Sequence, residues 1–165
     1  MKQELEEALV RDFPNLYRDY GGDMAKTCMA WGFDCGDGWE SLIRDLSEKI
    51  TKVDPDCVAA QVKEKFGGLR FYTNGNTEES YKAICEAETL SEKTCEICGK
   101  PGSIRVGGWL RCLCEECHTH SKCEHKNVYI EDSPDPILRL PRELEICKDC
   151  GKIVRNLFSE GNDCD

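Results

Sequence analysis

The sequence predicts an α+β fold in which helices pack on a β-hairpin and small cysteine-rich modules follow. Apolar residues recur at helical spacing around 39–53 and 78–92. Between these stretches, segment 58–73 alternates apolar and polar residues around a Gly-Gly pair, which is typical of a hairpin. Beyond residue 93 the periodicity stops, and paired cysteines dominate a chain that has 13 cysteines in 165 residues.

Three helices are expected in the N-terminal part. The first covers about 2–17, where Pro14 limits its regularity. The second covers about 39–53, and its apolar face carries Trp39, Leu42, Ile43, Leu46 and Ile50. The third covers about 78–92 with Thr77 as N-cap, and its predicted packing face carries Tyr81, Ile84, Cys85 and Glu88. The aromatic residues Trp31, Phe33 and Trp39 are expected in the core.

The hairpin is expected to turn at Gly67-Gly68, which sets Phe66 opposite Leu69. Its apolar face then packs on a helix. Alternation places the candidate interaction residues together on the other face: Lys63, Lys65, Arg70 and Tyr72. A solvated strand face with edge-protecting lysines explains the same pattern.

Two Cys-x-x-Cys pairs predict the first metal site. Cys95 and Cys98 form one pair, and Cys114 and Cys117 form the other after a hairpin-like stretch. Two such turns supply the four thiolates of a tetrahedral zinc ribbon, and a site with four protein ligands is structural because no position remains for substrate.

A second zinc site is predicted from Cys123, His125, Cys147 and Cys150. His118 and His120 compete with His125 as the nitrogen ligand. We therefore expect two structural zinc ions as cofactors. The expected domains are 1–93, 94–122 with the first site, and 123–165 with the second site and a disordered tail.

Composition limits location and partners. The acidic N-terminus lacks the features of a signal peptide, and no apolar run is long enough to span a bilayer, so a cytoplasmic protein with reduced thiols is expected. The formal net charge is −10, and zinc thiolates would move it to about −13. That charge disfavours broad attraction to nucleic acid.

Catalytic signals are weak. The three histidines all lie in the cysteine-rich part, so the N-terminal part has none to pair with a nucleophile. Asp34, Asp37 and Glu40 could bind magnesium, although Asp37 is also placed to cap the helix beginning near Trp39.

Three further cysteines leave alternatives open. Cys28 and Cys35 flank the aromatic loop as a candidate redox or metal pair, and Cys112 competes with Cys114 as a ligand.

Two motifs resemble a group of small phage and prophage proteins. They are the run Gly32-Phe33-Asp34-Cys35-Gly36-Asp37-Gly38-Trp39 and the run Val62-Lys63-Glu64-Lys65-Phe66-Gly67-Gly68-Leu69-Arg70-Phe71-Tyr72. In that group a similar segment precedes a zinc ribbon, so the resemblance covers about Trp31 to Cys117. It implies a virus-encoded accessory protein acting in a bacterial cytoplasm.

The leading functional hypothesis is a non-enzymatic protein that binds and modulates a host or phage protein, including inhibition of a defence system. The first alternative is a protein that binds RNA or single-stranded DNA through the basic hairpin face and the ribbon around Arg105 and Arg111. The second is a metal-dependent enzyme built on Asp34, Asp37 and Glu40. A membrane partner is not expected.

Overall fold

The computed structural model describes residues 1–106, 109–121, 126–132, 142–148 and 153–158. It confirms the α+β class. The chain divides into two compact units, Met1–His118 and Thr119–Asp165. The predicted boundaries at 93 and 122 stay predictions.

The helices of the described residues are α1 (Gln3–Asp12), α2 (Glu40–Val53), α3 (Glu78–Ser91) and α4 (Glu115–Ser121). The strands of the first unit are β1 (Phe33–Asp34), β2 (Ala59–Lys65), β3 (Gly68–Thr73), β4 (Ser103–Arg105) and β5 (Arg111–Leu113). Short 3₁₀ helices cover Cys28–Trp31 and Asp37–Trp39.

The central sheet has the order β1-β2-β3. β2 and β3 are the expected antiparallel hairpin, and β1 pairs in parallel with β2, so that Phe33 lies opposite Val62. The sequence analysis missed β1 because two residues are too few to show alternation. One sheet face packs on the helices, around the fully buried Val62, Leu69 and Ile43.

The hairpin turn is Phe66-Gly67, and the predicted Gly67-Gly68 turn is wrong. Leu69 pairs with Glu64 instead of Phe66. Both turn residues have positive φ, 56° for Phe66 and 80° for Gly67, as a two-residue type I′ hairpin turn requires. The error moves the pairing by an even number of residues, so the other apolar and basic residues keep their predicted faces. Phe66 was expected on the apolar face and lies exposed in the turn instead.

Side chains cover both edges of this sheet. At the β3 edge, the Leu69 amide donates to Ser91 Oγ at 2.8 Å and the Phe71 amide donates to Glu88 Oε1 at 2.9 Å. At the β1 edge, the Phe33 amide donates to Glu6 Oε1 at 3.3 Å. These contacts occupy backbone donors that another strand would need for pairing.

The first helix is shorter than predicted. α1 ends at Asp12, and the Phe13 backbone leaves the helical region at φ −129° and ψ 58°. Phe13 precedes Pro14, whose ring disfavours a helical conformation at the preceding residue.

The predicted packing face of the third helix is wrong in part. Ile84 is buried as expected, but Tyr81 is 57% exposed and Cys85 is exposed. The buried positions include Ser80 and Ser91 because both make hydrogen bonds there. A hydrophobicity pattern does not detect a face that contains buried serines.

The aromatic loop is only partly in the core. Phe33 and Trp39 are buried, as expected, whereas Trp31 is 74% exposed. Trp31 therefore corrects the expectation that all three aromatic residues belong to the core.

The second unit contains β6 (Val128–Asp132), β7 (Arg142–Cys147) and β8 (Ile153–Phe158). They form an antiparallel sheet in the order β6-β7-β8, in which Leu144 and Cys147 are buried. None of the helices in the described part of the chain has the length and apolar character needed to cross a lipid bilayer.

Asp54 joins the end of α2 to the start of α3. Its Oδ2 accepts hydrogen bonds from Ser80 Oγ at 2.7 Å and from the Thr77 amide at 2.9 Å. The Ser80 hydroxyl, followed by the Thr77 amide, lowers the pKa of Asp54 below its usual 3.8. Thr77 caps α3 as predicted, in a capping box with Ser80.

Asp54→Asn is expected to lower stability at pH 7, and the difference from the natural protein should shrink as the pH falls to 3. A carboxylate with a depressed folded-state pKa stabilises above its unfolded pKa, and this contribution is lost as the pH drops through the folded value. Urea unfolding followed by circular dichroism at both pH values measures the difference. The exposed Asp56→Asn is the control, and an Asp54→Asn deficit that does not shrink at pH 3 contradicts the assignment.

Candidate metal centre

Four cysteine sulfur atoms form a cluster in the first unit. The Sγ atoms of Cys95, Cys98, Cys114 and Cys117 all lie within 4.8 Å of one another. Cys98 Sγ is 3.6 Å from both Cys114 Sγ and Cys117 Sγ. Zn–S bonds of about 2.3 Å in a regular tetrahedron put sulfurs about 3.8 Å apart. The cluster therefore has the donor set and the spacing to hold a metal ion.

The first cysteine pair lies in a tight turn, and the second lies at the start of α4. In the first, the Gly99 amide donates to the Cys95 carbonyl at 2.9 Å, and Gly99 adopts a φ of +74° that favours glycine. In the second, the Cys117 amide points at Cys114 Sγ at 3.4 Å. β4 and β5 pair between these two segments, as expected of a ribbon.

The pKa values of the cluster shift in opposite directions. Burial raises the pKa of Cys95, but hydrogen bonds from the amides of Cys114, Cys98 and Ile97 outweigh it and lower the value to about 7. For Cys117, burial and then the neighbouring sulfurs raise the pKa. Four sulfurs this close repel as thiolates, so a dication that replaces their protons stabilises the group.

The first cysteine turn packs against the Gly36–Gly38 loop. The Gly38 amide donates to the Glu96 carbonyl at 2.8 Å. A Cβ atom on Gly38 would collide with the backbone of Cys95 and Cys98, and a Cβ atom on Gly36 would collide with Glu96. Both positions thus need glycine because two backbones touch.

Trp39 and Glu96 secure the same contact from either side. The fully buried Trp39 donates from Nε1 to the Thr94 carbonyl at 2.8 Å. Glu96, itself buried, forms an ion pair with Arg111 Nε at 3.1 Å. The loop before α2 is therefore a platform for the metal-binding turn, a role that the sequence analysis missed. The sequence signal for this role was the position of Gly36 and Gly38 directly before Trp39.

The acidic residues of this loop face separate partners. Asp37 accepts from the Lys2 amide at 2.8 Å, and Glu40 accepts from Arg44 Nε at 2.8 Å. Asp37 thus contacts the start of α1, and the expectation that it caps α2 is wrong. Within the described ranges, Asp34, Asp37 and Glu40 do not form a metal-binding group.

The other cysteines named in the sequence analysis lie in different environments. Cys112 is fully buried in the main core and lies outside the four-sulfur group. Cys35 is buried and Cys28 is exposed. Of the predicted second site, Cys147 is buried in β7. Cys123, His125 and Cys150 lie outside the described residues, so the second zinc ion stays a prediction.

The structure places the candidate interaction residues on the open face of the central sheet. Lys63 lies opposite Arg70 across the hairpin, and Lys63 Nζ lies 5.7 Å from the ring centroid of Tyr72. Lys65 and Tyr72 are exposed, while Lys63 and Arg70 are half-buried. Binding of a partner at this face stays a prediction.

Comparisons of the chain with protein-family models, with curated proteins and with solved structures find no match. The function must therefore be argued from the chain itself.

Cys114→Ser is expected to lower the bound zinc by one ion per chain, because three thiolates no longer complete the tetrahedron. Elemental analysis of the purified full chain by mass spectrometry measures the change. Cys28→Ser, at an exposed cysteine outside the cluster, is the matched control and should keep all its zinc. Unchanged zinc in Cys114→Ser would rule out this cluster as the site.

Gly38→Ala is expected to destabilise the protein by about 3 kcal/mol, because the new methyl group pushes the loop away from the metal-binding turn. Zinc should also be lost more readily to a chelator. Thermal unfolding and a zinc-competition titration measure the two effects. Gly75→Ala is the control, since its Cβ atom meets open space and only its positive φ is strained. Equal losses in the two variants would contradict the packing role of Gly38.

Proposed function

We propose that the protein is a non-enzymatic, zinc-stabilised accessory protein that binds and modulates another protein. The supporting observation is that the metal centre is built as a scaffold. Its four ligands come from the chain, which leaves no open position on a tetrahedral ion, and its first turn packs against the backbone of the Gly36–Gly38 loop. We assign zinc because a four-thiolate tetrahedral site suits that ion.

The open sheet face is the proposed binding surface. Lys63, Lys65 and Arg70 form no ion pair with a carboxylate in the described part of the chain. Some cations elsewhere do, such as Lys2 with Asp37 and Arg44 with Glu40. Unpaired cations grouped in an acidic protein favour recognition of a negatively charged partner. Because the sheet edges are covered, a partner docks on the face instead of adding a strand.

The resemblance to phage and prophage proteins supplies the context of the proposal. The motif Gly36-Asp37-Gly38-Trp39 builds the platform for the metal-binding turn, and the hairpin motif builds the open face. Proteins that share both motifs would share this scaffold and surface. The proposed partner is accordingly a host or phage protein in a bacterial cytoplasm, and inhibition of host defence is one form that modulation takes.

Nucleic-acid binding is the second candidate, since Tyr72 is exposed beside Lys63 on the same face. Aromatic and basic side chains together suit a single strand. The net charge of −10, which four zinc-bound thiolates make more negative still, opposes it.

A pull-down with the immobilised zinc-loaded chain from phage-infected bacterial lysate tests the proposal. We expect a specific protein to be recovered, and to be lost with the variant Lys63→Glu/Lys65→Glu because the face changes sign. The control Lys49→Glu/Lys82→Glu makes the same charge change at exposed lysines on helices and should retain the partner.

Two further readouts decide between the candidates. The recovered protein, once purified, should bind the zinc-loaded chain in isothermal titration calorimetry. A mobility-shift titration with single-stranded RNA and DNA at low salt should show no complex. A nucleic-acid complex without a protein partner would overturn the proposal in favour of the second candidate.

A further inference from the structure

A groove runs between the β2–β3 turn and the hairpin of the metal-binding ribbon. Its volume is about 790 Å³, and Lys63, Lys65, Phe66 and Trp109 contribute to its lining. Trp109 reaches across from the ribbon, where its Nε1 donates to Glu64 Oε2 at 3.2 Å. The groove is continuous with the open face, because Lys63 and Lys65 belong to both. Its size suits a side chain and a short stretch of backbone.

Two large aromatic side chains on this groove are exposed. Phe66 is 64% exposed and Trp109 is 75% exposed. Aromatic side chains are enriched in protein interfaces, and tryptophan is among the residues that most often carry binding energy there. They offer an apolar partner side chain two surfaces to pack against.

Phe66 also adopts a backbone conformation that is unfavourable for an aromatic residue. It occupies the first position of the turn at a φ of +56°, where asparagine is favoured and an aromatic residue is strained. Because the Phe66 side chain is mostly exposed, its burial does little to offset this strain. Backbone strain at an exposed aromatic residue indicates a role in binding and not in folding.

The lining of the groove carries charges of both signs. Glu64 keeps its negative charge because its oxygens accept from two neutral donors, the Gly67 amide and Trp109, whereas Glu96 is paired with Arg111. Lys63 and Lys65 lie over aromatic rings, at 5.7 Å and 5.3 Å from the ring centroids, without a carboxylate partner among the described residues. Anionic groups on the partner would form ion pairs with these two lysines.

Asp34 limits how many anionic groups fit. It also lines the groove, is exposed, and lies beside Lys63 across the β1–β2 pair. A strand with a phosphate at every nucleotide would meet this carboxylate, whereas a peptide places one or two carboxylates at chosen positions. Charge complementarity therefore favours a protein segment.

We propose that this groove binds an acidic segment of the partner protein, with one aromatic side chain inserted between Phe66 and Trp109 and carboxylates paired with Lys63 and Lys65. This inference rests on the proposed function and names the chemistry of its partner.

Fluorescence anisotropy of labelled peptides with the zinc-loaded full chain tests it. The probe is Gly-Ser-Asp-Phe-Asp-Ser-Gly, compared with versions that replace Phe by Ala or both Asp by Lys. We expect the probe to bind roughly tenfold or more tightly than either version, and binding to weaken with added salt. A single-stranded oligonucleotide that binds more tightly than the probe, or a basic peptide that binds equally, would overturn the inference.

Variants separate binding from folding. Phe66→Asn should raise the melting temperature by about 3 °C by relieving the turn, yet weaken the probe roughly tenfold. Trp109→Ala and Lys63→Ala/Lys65→Ala should weaken it similarly, while Lys49→Ala/Lys82→Ala should not. If Phe66→Asn binds the probe as tightly as the natural protein does, the inference is overturned. If the probe fails but the lysate partner still depends on Lys63 and Lys65, the inference is wrong and the proposed function stands.

Discussion

The contact between Gly38 and the Cys95–Gly99 turn is the constraint on which the first unit depends. Two stretches of backbone touch there with no side chain between them, and Trp39 and Glu96 secure the contact from either side. Close packing of this kind transmits displacement, since neither backbone has room to adjust. The metal centre therefore fixes the loop before α2 as well as its own ribbon.

The same constraint shapes the proposed binding surface. The ribbon carries Trp109, and the sheet carries Lys63, Lys65 and Phe66, so the groove exists only while the ribbon is held against the sheet. A metal ion held by the four cysteines would in this way support the proposed binding surface without any chemical role of its own. The covered sheet edges add to the effect, because they leave the open face and its groove as the accessible part of the sheet.

Much of the architecture could be predicted from local pattern. Helical periodicity located α2 and α3, alternation assigned the two hairpin faces, and cysteine spacing identified the four-sulfur cluster. Several of the errors arose where distant contacts decide the structure. Of the buried serines of α3, Ser91 bonds to β3 and Ser80 to Asp54. Asp37 turns to α1, and the two residues of β1 pair with a strand far along the chain. The role of Gly36 and Gly38 likewise depends on a turn that follows about sixty residues later.

Hydrogen–deuterium exchange of the zinc-loaded and the chelated full chain tests the central claim most directly. If the metal ion holds the Cys95–Gly99 turn against its platform, removing zinc should increase exchange at 36–40, which lies outside the ribbon, as well as at 94–99. The amides of α2 around the buried Ile43 should stay protected, because the core packs without the metal. Unchanged exchange at 36–40 after zinc removal would contradict the account.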